Sequence, residues 1–151
     1  MKKKSAIILG AVICAIICGG FVWWLLPVRL LSGVEPEEIA AIEVINGNNG
    51  DQFVIADAEG ISRIVNGIRQ VNFRKKGFSS DIAYWYHLTF MDGSGEKITS
   101  LGIRNTSYAQ KDIAGKQVLF YHCDGELDEV GSYLESLEAT LFPDYKRDPD
   151  R

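Results

Sequence analysis

The sequence predicts an α+β protein: one N-terminal transmembrane helix, then a small, mainly antiparallel sheet of about five to six strands with two helices packed on it. Three observations carry this. A twenty-residue run, 7–26, is apolar or small throughout. Several later segments alternate apolar and polar residues around Gly/Asn-rich turns, as half-buried strands do. Two further segments repeat apolar residues every three or four positions, as helices packed on a sheet do.

The span comes first. Residues 7–26, IILGAVICAIICGGFVWWLL, have no charge and no polar face. At ~1.5 Å per residue they cover roughly 30 Å, the hydrocarbon thickness of a bilayer. Trp23 and Trp24 stand where aromatic rings prefer the headgroup level, and Pro27 follows where the helix can end. A cleaved secretory signal would have a shorter apolar region and an A-x-A-like site, so a retained anchor is expected. Lys2, Lys3 and Lys4 precede the span, and Glu35, Glu37 and Glu38 follow it. The positive-inside rule then makes residues 1–6 a cytoplasmic tail and puts the following domain outside the cytoplasm. Ala11, Ala15 and Gly19 recur every four residues, a spacing that lets two helices approach closely and admits pairing through this face.

After the span, residues 27–38 read as a linker broken by Gly33 and Pro36, and the domain is expected over 39–142. Ile42 and Val44, then Phe53 and Ile55, flank Asn46-Gly47-Asn48-Asn49-Gly50 as a hairpin. Asp57 stands as an N-cap before Ile61, Ile64, Val65, Ile68 and Val71, one apolar stripe of a helix. Residues 72–80 read as a short strand running into a loop, with Arg74, Lys75 and Lys76 as a basic patch between Phe73 and Phe78. Residues 82–91, IAYWYHLTFM, form the most strand-like segment. Strict alternation puts Tyr84, Tyr86, Leu88 and Phe90 on one face and Trp85, His87, Thr89 and Met91 on the other. A Gly/Ser turn joins it to a strand over 97–103, residues 104–115 lack periodicity and read as a loop, and 116–122 form another strand. Leu127, Val130, Leu134, Leu137 and Leu141 define a terminal helix with acids on its outer face, Asp124 as cap and Pro143 as stop; residues 143–151 read as a flexible tail.

Charge divides the same way. The first 31 residues hold only basic charges, whereas the rest carry all 20 acids against 12 bases. Such an acidic domain argues against nucleic acid as a partner, since phosphates select basic surfaces. The expected partner is the lipid bilayer, with another membrane or envelope protein as a second.

No pattern points to catalysis, a cofactor or a metal, and none of these is expected. His122, Cys123 and Asp124 are adjacent on a strand, so they point to alternating faces and cannot jointly ligate one ion. His87 could in principle meet Cys123 from another strand as a catalytic pair, but ordinary sheet roles are favoured for both. The aromatic strand reads as core and the basic patch as a solvated edge that discourages further pairing.

The order of features is an N-terminal Lys-rich anchor, I-x-x-I-E-V-x-(N)-G-x-x-G over 39–50, F-x-I-x-D-x-E-x-I-x-x-I over 53–64, and Y-x-L-T-F-x-D-x-x-G over 86–95. It resembles small membrane-anchored proteins of Gram-positive bacteria whose exported α+β domain has no assigned function. The resemblance implies an extracytoplasmic domain and carries over no catalytic residue. The expected role is a non-enzymatic binding or accessory module of the cell envelope. The alternatives are a sensor signalling through a paired helix and, least favoured, a Cys/His enzyme.

Overall fold

The structure, a computed structural model, describes residues 2–79, 83–112, 118–125 and 127–143. Helix α1 (Lys2–Leu25) is one uninterrupted helix. Its segment Ile8–Leu25 is long and apolar enough to cross a membrane, and none of that segment is buried; a signal sequence has the same character.

Among the described residues seven strands follow: β1 (Ala41–Asn46), β2 (Gln52–Ile55), β3 (Asn72–Ser79), β4 (Tyr86–Met91), β5 (Lys97–Asn105), β6 (Tyr108–Asp112) and β7 (Val118–Asp124). They form one antiparallel sheet in the order β2-β1-β4-β5-β6-β7-β3. The sheet therefore exceeds the five to six strands expected, and β6 is the reason. It lies inside the segment read as a loop, where Tyr108-Ala109-Gln110-Lys111-Asp112 has a single apolar core residue and no visible period. Backbone pairing to β5 and β7 makes it a strand. The expected short strand over 72–80 is also longer, an eight-residue edge strand held by β7 with a bulge between Lys75 and Gly77.

Two helices cover one face. The first, α2 (Ala58–Gln70), begins where Gly60 N–H donates to the Asp57 carboxylate at 2.6 Å, the expected N-cap. It connects one sheet edge to the other and buries Ile61, Ile64, Val65 and Ile68. Each such side chain contributes roughly 1.5–3 kcal/mol. The second, α3 (Asp128–Leu141), buries Val130, Leu134 and Glu138. Its cap is Leu127, without a side-chain bond; Asp124, the expected cap, pairs instead with Arg74 of β3. Glu138 also departs from expectation, since it is one of the acids assigned to the outer face and is 7% exposed.

The core is a single cluster joining both helices to Ile42, Val44, Phe53, Ile55, Tyr86, Leu88, Phe90, Leu101, Ile103, Tyr121 and Cys123. The cross-strand partners Ile42–Phe90, Val44–Leu88 and Leu88–Leu101 place these side chains on one face. Strict alternation fails at the start of β4. Tyr84 stacks on His87 and Trp85 on Tyr86, so the phase slips by one between Trp85 and Tyr86. The ladder proper begins at Tyr86; Trp85 sits at a bend, where its N–H donates to the Ile103 carbonyl and its carbonyl accepts from Gly47 N–H, and it packs against Gly131 of α3.

Segment 27–38, read as a linker, is packed on the domain. Val28 pairs with Phe73 through two backbone hydrogen bonds of 2.8 and 2.9 Å, extending the sheet beyond β3. Leu30 is buried, and Arg69 of α2 donates to the carbonyls of Leu31 and Val34 at 3.1 and 2.8 Å and pairs with Glu35 at 3.0 Å. Leu31 takes φ 62°, a left-handed conformation costing about 1–2 kcal/mol that the Arg69 contacts help hold. Ile82, residues 113–117 and the tail residues 144–151 lie outside the described residues.

Candidate functional site

Two regions concentrate chemistry that the core does not absorb: the junction between α1 and β3, and the sheet face away from the helices.

At the junction, β3 runs beside the end of α1. The Lys75 ammonium sits 3.7 Å from the centroid of the Trp23 ring and donates to the Trp23 carbonyl at 3.2 Å. Phe78, 60% exposed, packs against Trp24 with ring centroids 5.6 Å apart. Trp23 and Trp24 are thus the contact through which helix and domain meet. Lys76 and Arg29 are exposed and make no ion pair among the described residues, whereas Arg74 is neutralised by Asp124. Ala11, Ala15 and Gly19 lie on the exposed helix, and nothing approaches within 4 Å of a Cβ built at Gly19.

The second region is the outer sheet face. Register places His87, Gly102, Gln110 and Phe120 side by side across β4, β5, β6 and β7. Asp112 gathers two partners from neighbouring strands: Ser100 Oγ donates to its Oδ2 at 3.0 Å, and His87 Nε2 lies 3.3 Å from the same oxygen. Burial alone would raise the Asp112 carboxyl. The bonds from Ser100 and His87, with the charges of His87 and Lys97, outweigh burial and hold it below its usual value. The Arg104 guanidinium lies 4.7 Å over the Phe120 ring. Beneath these groups Gln110 is fully buried, and neither of its amide atoms has a hydrogen-bond partner among the described residues. Its Cγ occupies the space above Gly102, where a Cβ would come within 2.6 Å.

This geometry separates residues that could have been catalytic together. His87 belongs to the outer face, while Cys123, paired with Phe73, lies in the core on the other side. Burial, with the nearby charge of Asp124, pushes the Cys123 thiol up to about 12, so at neutral pH it is a thiol and a poor nucleophile. His122 is also outward, its Nδ1 donating to the Ser107 carbonyl at 3.1 Å. Ser100, His87 and Asp112 resemble a triad in composition alone. Serine and histidine both bond the aspartate, so no base is placed on the serine hydroxyl. Among the described residues no group of three His, Cys, Asp or Glu side chains is arranged to hold a metal ion.

No family model, curated protein or solved structure matches the chain. Its functional reading therefore rests on its own geometry.

Sequence reasoning missed three of these features. Glu138 sat among helix acids that carry no mark of burial, and β6 had no apolar period to reveal Gln110 and Asp112. The clamp of Arg69 on residues 31–35 joins groups more than thirty positions apart in sequence.

Proposed function

We propose that this chain is a single-pass membrane protein whose extracytoplasmic α+β domain is a non-enzymatic binding or accessory module of the cell envelope. In this reading α1 spans the bilayer with its N-terminus in the cytoplasm. The observation that carries the reading is the division of labour between the sheet faces. One face is filled by α2 and α3, whereas neither helix covers the other, which bears half-buried His87, Arg104, Phe120 and His122 and exposed Tyr108 and Asp112. A mixed aromatic and polar sheet surface of this kind suits protein recognition, where aromatics and arginine supply the contact energy.

Crosslinking in intact cells, followed by purification of the full-length, membrane-extracted chain, tests this. One specific envelope protein should copurify and be lost when Tyr108→Ala and Phe120→Ala are combined. Recovery of the chain alone as a monomer would overturn the binding reading.

The packed 27–38 segment favours one second reading, signalling through a paired helix, because a rotation of α1 would reach the sheet without a slack tether. Ala15→Leu with Gly19→Leu should then abolish crosslinked dimers, whereas an anchor with no pairing role would show none to abolish.

A further inference from the structure

We infer that the Lys75–Phe78 end of β3 lies on the bilayer surface and binds anionic phospholipid headgroups, fixing the domain's tilt on the membrane. The inference rests on the reading that α1 spans the bilayer.

The argument is one of depth. An amphipathic indole at the end of a span sits at headgroup level, and two adjacent indoles close α1. Lys75 is bonded to the backbone and ring of Trp23, and Phe78 touches the ring of Trp24. Contacts this short allow little difference in depth, so both β3 residues share the headgroup layer with the indoles. The polypeptide climbs from Trp24 to Val28 antiparallel to β3, because Val28 pairs with Phe73. The Phe78 end is therefore the deeper one.

The chemistry at that depth matches an anionic interface. Phe78 is a large apolar ring left 60% exposed, continuous with the apolar surface of α1 and not with the domain core. Lys76 is exposed two residues away on the same strand, and Arg29 is exposed next to Val28, which pairs with Phe73 at the other end of β3. Lys111 is exposed in the same cross-strand row, through Phe78–Leu119 and Lys111–Leu119. The bulge between Lys75 and Gly77 lets the edge bend toward a surface, and Gly77 supplies its φ of 154°. An otherwise acidic domain thus places its basic edge against the layer where anionic headgroups lie. A distant wall polymer would not require an exposed phenyl ring at indole depth.

The test uses the full-length chain in vesicles of phosphatidylcholine containing phosphatidylglycerol, with the photocrosslinking residue p-benzoylphenylalanine at position 78 or, as a control, at position 21 within α1. Lipid adducts are identified by mass spectrometry. Position 78 should yield lipid adducts enriched in phosphatidylglycerol over its mole fraction. Lys76→Gln, an exposed change that leaves the core intact, should lower that enrichment by about 5-fold, the effect of one basic residue at an anionic surface. Lipid adducts at 21 with none at 78, or adducts at 78 without enrichment, overturn the docking and leave the span standing. Absence of lipid adducts at 21 overturns both.

Discussion

Glu138 and Gln110 are both buried polar side chains, one on each face of the same sheet, and they have opposite fates. Glu138, on the helix side, accepts from Asn46 Nδ2 at 2.7 and 2.9 Å, from Asn49 Nδ2 at 2.8 Å and from the Tyr86 hydroxyl at 2.7 Å. Those bonds tie the β1–β2 turn and β4 to the last turns of α3. Gln110, on the outer side, is buried with no partner for either amide atom among the described residues. A buried polar group that is satisfied specifies a structure, whereas one left unsatisfied opposes folding by about 1–3 kcal/mol. The helix face is thus the part of the domain optimised for stability. The outer face carries a cost at Gln110 that the helix face does not.

The largest effect that would break this contrast is at Glu138. Glu138→Ala strands the buried donors of Asn46 and Tyr86, while Asn49 keeps its bond to Asp51, and should destabilise the domain by about 3 kcal/mol. A chemical-denaturation midpoint unchanged from that of the parent would show that the network contributes little. Tyr86→Phe, which removes one donor and leaves the acceptor bonded, should cost about 1 kcal/mol.

A smaller effect sharpens the outer-face side. Gly102→Ala brings a Cβ to 2.6 Å from Gln110 Cγ, near the root of that side chain, and should cost about 1–3 kcal/mol through displacement of Gln110. Combined with Gln110→Ala, most of that loss should return, because the clash has a single source. Gln110→Leu alone should be neutral or slightly stabilising, since it removes two unpaired polar atoms at similar volume. A loss as large as that of Glu138→Ala would mean that the two faces are equally optimised.

The smallest effect concerns pH. The Asp112 carboxyl is held below its usual value in the folded chain, so its contribution is fully present above the unfolded pKa of about 4 and is lost as pH falls through the lower folded value. Asp112 remains 39% exposed, which screens the interaction, so the contribution should stay under about 1 kcal/mol. Stability followed between about pH 6 and 2 should fall less in Asp112→Asn than in the parent chain. Equal slopes would remove Asp112 as a source of acid sensitivity.

How much could be read from residues alone varied with the kind of signal. The α2 stripe and its Asp57 cap were legible because local spacing and one short-range bond define them. The hairpin over β1 and β2 was legible because alternation flanks a Gly/Asn turn. β6 was not, because a strand paired on both sides needs backbone partners more than apolar side chains. The phase slip before Tyr86 was also hidden, since alternation is counted without knowing where pairing starts. At the junction the residues were visible, Trp23, Trp24, Lys75 and Phe78 among them, but their meeting was not.

By itself the sequence determined the apolar helix, the antiparallel α+β class and the residues able to fill a core, because each follows from short-range periodicity and capping. Tertiary structure alone decided which acid is buried, which glutamine lacks a partner, and which strand edge meets the end of the helix. Those outcomes depend on strand order and register, which bring together groups as far apart as Asn46 and Glu138, and no local pattern encodes such a distance.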